Sequence, residues 1–185
     1  IKCLAYDGSI DKLQNYHDRI IFHKKWISDI ESGDETNLHN IINKYDNIFL
    51  KIDIEGSEYK WIHSLSPDML SRFSQIIIEF HNPFCENYWN CIEKLNKTHY
   101  LLHIHGNNNQ GIKKCNNIIV PNCFECTYIN KNLISNIKLN LQRMQDLNID
   151  RKCVSHKDEI FLEGYSYNLE KKIKKITNFL NNKFL

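Results

Sequence analysis

Alanine occurs once in the 185 residues, at Ala5, proline three times and glycine six. The scarcity of alanine beside abundant Asn, Ile and Lys looks like the imprint of an AT-rich coding sequence, so Asn-richness carries little functional meaning. No Pro/Gly/Ser-rich linker divides the chain, which is long enough to bury a real core. One compact domain over residues 1–130 is expected, followed by a mostly helical extension over 131–185 that packs on it. No apolar run approaches 18 residues and no signal-peptide pattern is present, which argues against a membrane span. Seven cysteines, an odd number without paired spacing, speak against a disulfide framework. A cytoplasmic protein without a stable membrane anchor is the expectation.

Large charge of one sign is also missing. The net charge is +2, with 13 basic and 16 acidic side chains in residues 1–130 and 11 basic and 6 acidic in 131–185. The cluster KKIKK at 171–175 reads as a solvated helix face, and no nucleic-acid binding is expected. GxSxG, the P-loop and GxGxxG are absent as well. Acyl transfer by an activated serine and P-loop nucleotide hydrolysis therefore lose support.

Short β-rich runs alternate with helical patterns, which predicts α/β architecture with a mostly parallel sheet. Strands are expected at Lys2–Tyr6, Arg19–His23, Ile48–Asp53, Gln75–Phe80, Tyr100–His105 and Asn122–Ile129. Helices are expected at Asn37–Tyr45, Glu58–Leu65 and Glu86–Lys97, with a short one opened by Ser66 as N-cap and Pro67. The apolar spacing of Leu133, Ile137, Leu141 and Met144, and the segment NLEKKIKKITNFL, predict two more in the extension.

IFLKIDI and QIIIEF are almost continuously apolar, as central strands covered on both faces would be. Ligands of such sheets bind beyond the carboxyl ends of the strands, where Asp53, Glu79, His81, His105 and Asn107 fall. In IDIEGSE, Asp53 and Glu55 emerge at the rim and Gly56 turns the chain into the helix of Glu58; Glu55 and Glu58 could equally serve as helix caps. In IEFHNP, Glu79 shares a strand parity with His81 and needs a partner in so apolar a strand. In HIHGNN, His103 and His105 share a face and Asn107 and Asn108 can present amides. A mixed His/carboxylate site for a divalent ion is one reading of these residues, acid/base and hydrogen-bonding duty the other. In CFEC, strand geometry points Cys123 and Cys126 to opposite faces, which disfavours a zinc knuckle and turns Glu125 towards the site.

Taken in order, KIDIEGSE, IEFHNP, HIHGNN and FECTYI resemble the FkbM-type S-adenosylmethionine-dependent methyltransferases over Ile1 to about Lys131. The resemblance implies a Rossmann-like class I methyltransferase sheet and methyl transfer to an oxygen of a small molecule or sugar. It implies S-adenosylmethionine as cofactor, and no metal is expected. Asp7 in CLAYDGSI matches the acidic residue that receives the cofactor's ribose, and Asp53 lies beside the reacting methyl. Catalytic roles then fall to Asp53, Glu55, His81 and His105, and acceptor binding to Glu58, Glu79, Asn107, Asn108 and Glu125. The family's first strand and glycine-rich loop have no match here, so an N-terminally incomplete domain is expected. Alternatives are a non-catalytic scaffold of the same fold and a metal-dependent hydrolase using Asp53, Glu79, His81 and His105.

Overall fold

A computed structural model describes residues 2–15, 17–84, 88–115, 118–138 and 149–162. The centre is a four-stranded sheet ordered β5 (Ile48–Ile52), β6 (Phe73–His81), β10 (Cys123–Asn130), β7 (His99–Gly106). Beside it lie three two-stranded pieces. β1 (Cys3–Tyr6) runs parallel to β2 (Ile20–His23), β3 (Trp26–Ile27) parallel to β4 (Glu35–Thr36), and β8 (Ile112–Cys115) pairs antiparallel with β9 (Ile118–Pro121). Short helices connect them: α1 (His39–Ile42), α2 (Glu58–Ser64), α3 (Pro67–Ser71) and α4 (Tyr88–Thr98).

Side-chain alternation divides the sheet into two unlike faces. Ile76, Ile78 and Phe80 of β6, with Phe124, Cys126 and Tyr128 of β10, are buried against the helices. Helix α2 contributes Trp61 and Ile62, and α4 contributes Cys91, Ile92 and Leu95, the spacing of one helical stripe. Helix α3 starts where the sequence says it should: Ser66 Oγ accepts the Met69 N–H and Pro67 occupies the first turn. The opposite face carries Gln75, Ile77, Glu79 and His81, all only partly buried.

The expectation of a mostly parallel sheet needs correction. β5 and β6 form the one parallel pairing in the four-stranded sheet, while β10 pairs antiparallel with both of its neighbours, β6 and β7. The reason lies in the connection. From Gly106 the chain makes an excursion through the β8–β9 hairpin and returns at the same end of the sheet with no helical crossover, so the next strand has to run the other way. The architecture is mixed α/β with a mixed four-stranded sheet. Of the extension, Lys131–Leu133 form a 3₁₀ turn and residues 150–162 lie against the sheet. The helices expected around Leu141–Met144 and NLEKKIKKITNFL lie outside the described residues.

Candidate functional site

Strands β5 and β6 end side by side, with Ile52 in register with Ile78. The residues that follow converge on His81. Its Nδ1 lies 3.0 Å from Glu58 Oε1, and its Nε2 lies 3.4 Å from Glu55 Oε2 and 4.0 Å from Asp53 Oδ1. The Tyr59 hydroxyl donates to the His81 carbonyl, which fixes the strand end from the helix side.

Local backbone geometry makes the convergence possible. Glu55 (φ 53°) and Gly56 (φ 103°) are both in the left-handed region, so the chain folds back after Asp53 instead of running on. Glu58, at the start of α2, is 0% exposed. Its Oε1 accepts the N–H groups of Ile54 and Gly56, each at 3.1 Å. The carboxylate thus holds the loop from inside and anchors the imidazole at the same time. Asn82 (φ 48°) takes the chain sharply away from β6 just past His81.

A second layer begins at Glu79, whose Oε1 accepts from Asn107 Nδ2 at 2.8 Å and from the Cys123 thiol at 2.7 Å. Burial alone would raise Glu79, but these two hydrogen bonds outweigh it and hold the carboxyl below its ordinary value. Asp53 is displaced the other way: burial first, and then the adjacent Glu79 charge, raise it above the usual carboxylate range. The two neighbouring carboxyls are thus shifted in opposite directions, Glu79 down and Asp53 up. Cys123 is raised far above an ordinary thiol by burial and the surrounding carboxylates.

Further along the sheet, Glu125 faces Glu79 on one side and His105 on the other. His105 Nδ1 lies 3.8 Å from Glu125 Oε2 and its Nε2 lies 3.3 Å from Glu159 Oε1. These carboxylates, Glu125 foremost, raise His105 against the effect of burial, and His105 in turn lowers Glu125. His103 Nε2 meets Asp150 Oδ1 at 2.8 Å.

The structure therefore brings Asp53, Glu55, Glu58, Glu79 and His81 together, with Asn107 attached through Glu79. His105 stands apart, two strands over from Glu79, about 9–10 Å at ordinary strand spacing. Asn108 does not present its amide to a cleft: Nδ2 donates to the Val154 carbonyl at 2.9 Å and Oδ1 accepts the Val154 N–H at 2.9 Å, so it clamps the extension. Asp7 lies at the end of β1, where its Oδ1 accepts both the N–H and hydroxyl of Ser9 at 2.7 and 2.6 Å, which hold its carboxyl below the usual range. Around it, Tyr6 stacks on His23 at 4.7 Å between centroids, and the half-exposed Trp26 indole packs against Gly8, where an added Cβ would meet the ring at 2.4 Å.

Glu159 escapes the sequence reading, and Cys123 is weighed there only as half of a zinc knuckle. Cys123 shares a strand parity with Glu125, but its place beside His81 follows only from the β6–β10 register. Comparison of the chain with protein-family models, with curated proteins and with solved structures finds no match.

Proposed function

We propose that this chain carries the acceptor side of an S-adenosylmethionine-dependent methyltransferase acting on a hydroxyl of a small molecule or sugar. The observation that carries the reading is the convergence of Asp53, Glu55 and His81 beyond the carboxyl ends of the parallel strands β5 and β6, where sheets of this kind hold their ligands. A Rossmann-like class I sheet is part of the proposal. β1–β2 and β5–β6 are parallel pairs in separate sheets, as two parts of one larger parallel array would be.

The residues fit the cofactor's chemistry. A carboxylate at the end of β1, bordered by the Tyr6–His23 stack and an exposed indole, suits a ribose and a purine, and the acidic rim at β5 suits a sulfonium cation. When bound, S-adenosylmethionine supplies the methyl group. The protein's tasks are to align an acceptor oxygen and to take its proton. Asp53, raised above its ordinary value by burial and by the Glu79 charge, is the base. His81, held at Nδ1 by Glu58, orients the hydroxyl through Nε2, and Glu55 closes the rim.

Calorimetric titration of S-adenosylmethionine and its demethylated product into the full-length protein tests this. Saturable heat for both ligands is expected. Absence of heat for both would overturn the reading in favour of a non-catalytic module.

A further inference from the structure

The rim holds more negative charge than its partners balance. Asp53, Glu55, Glu58 and Glu79 gather around one imidazole, and among the described residues no lysine or arginine is ion-paired with any of the four. Glu58 adds a sharper sign. It is completely buried, and while Oε1 is fully engaged, Oε2 has no hydrogen-bond partner. A buried carboxylate left half satisfied in an acidic pocket calls for positive charge close by.

We propose that Glu79, His81 and Cys123 form a binding site for a borderline divalent metal ion of the zinc type. One donor atom from each lies within 4.8 Å of the others. Ligands at 2.0–2.3 Å from a tetrahedral ion stand about 3.3–3.8 Å apart, so the 2.7 Å Cys123–Glu79 pair opens slightly while the other separations, none above 4.8 Å, close by about 1 Å or less. Cys123 Sγ already donates to Glu79 Oε1 at 2.7 Å, so a cation entering between them replaces the thiol proton and spreads the pair. On binding, the Sγ–H bond breaks, the electron pair stays on sulfur as a metal–thiolate bond, and the proton leaves to solvent.

Glu58 completes the arrangement. A metal-binding histidine commonly gives its other ring nitrogen to a carboxylate, and Glu58 occupies Nδ1 while Nε2 turns to the acidic rim. Thiolate, imidazole and carboxylate together favour zinc-like ions over magnesium or calcium. An alternative triad of Asp53, Glu55 and His81 shares the imidazole but offers more exposed oxygens. Three protein ligands with an open position are the pattern of sites that activate a bound oxygen. The site departs from the expectation of no metal drawn from the sequence and does not depend on methyl transfer.

The test is cobalt titration of the chelator-treated full-length protein, without S-adenosylmethionine, in a background carrying Cys3→Ser and Cys153→Ser to remove two exposed thiols. One equivalent of Co²⁺ is expected to bind with a thiolate-to-metal charge-transfer band in the near ultraviolet. Cys123→Ser should abolish the band, and His81→Gln and Glu58→Gln should each weaken binding by about tenfold or more. X-ray absorption of the zinc-loaded protein with native cysteines at all other positions should show sulfur and imidazole in the metal's shell, which needs no variant to fold. No binding, a band that survives Cys123→Ser, or a shell without sulfur would overturn the site while leaving cofactor binding untouched.

Discussion

Asp53 and Glu58 sit five residues apart and do opposite work. Asp53 is partly exposed at the rim with a raised affinity for its proton, whereas Glu58 is sealed beneath the loop and holds two backbone N–H groups. Under the proposed function, Asp53→Asn should therefore keep cofactor affinity and thermal midpoint while turnover falls by about 10² or more, read by steady-state kinetics beside a melting curve. Glu58→Ala should do the reverse to the fold. It leaves the Ile54 and Gly56 N–H groups and the imidazole without their acceptor, at a cost of about 3 kcal/mol, measurable by denaturant titration. The individual rim residues were legible because Asp53, Glu79 and His81 end apolar runs, where polar side chains have no packing reason to be. The sequence places Glu58 among acceptor-binding residues, but it is fully buried, and nothing in its spacing reveals that the loop of Ile54 and Gly56 closes over it. Cys123 needed a strand register that no local pattern encodes.

At the scale of elements, the segment 150–162 is fastened to the sheet by two histidine–carboxylate pairs, His103 with Asp150 and His105 with Glu159. Ile160 and Leu162 are buried under it, and Asn108 clamps Val154. Around His105 the charged neighbours are Glu125 from β10 and Asp150 and Glu159 from the segment. Folded His105 holds its proton more tightly than the unfolded chain does. The stabilisation is therefore full below about pH 6.5, the unfolded value, and is lost as pH rises through the raised folded value. Glu125, lowered by His105, supplies the opposite limb: its contribution is present above the unfolded carboxylate value and disappears as pH falls through the lowered one. Hydrogen-exchange protection factors of residues 150–162, corrected for the intrinsic rise of exchange with pH, should accordingly be higher near pH 6 than near pH 8.5, and Glu159→Gln should flatten that difference. Most strands and helices were foreseen to within two residues, because period and caps are local. The β8–β9 hairpin was not, since IKKC and IIVP lack both alternation and a glycine turn between them.

For the whole molecule, the unequal finish of its sheets matters. β5 ends the four-stranded sheet on one side, with Phe49 on it 59% exposed, and β2 carries Ile21 at 41%. Lys51, also exposed on β5, is the one charge that interrupts this strand. Such an edge invites pairing with another chain. The protein should self-associate with rising concentration, and Phe49→Glu should suppress this in light scattering with the thermal midpoint changed by only a few degrees. Direction of the strands was the part of the fold least open to sequence reading. Whether a strand returns by crossover or hairpin depends on how residues 107–122 are folded, and their polar, Asn-rich composition leaves both routes possible.

The position of β10 has a consequence in time as well as in space. It is the last strand of the chain to be synthesised among those of the main sheet, yet it lies between β6 and β7, both of which precede it. Until residue 130 has left the ribosome, Ile76, Ile78 and Phe80 have helices above them but an open ladder beside them. Both facing edges must wait for one insertion that satisfies them together, and the waiting chain is at its most vulnerable to chaperone capture and aggregation.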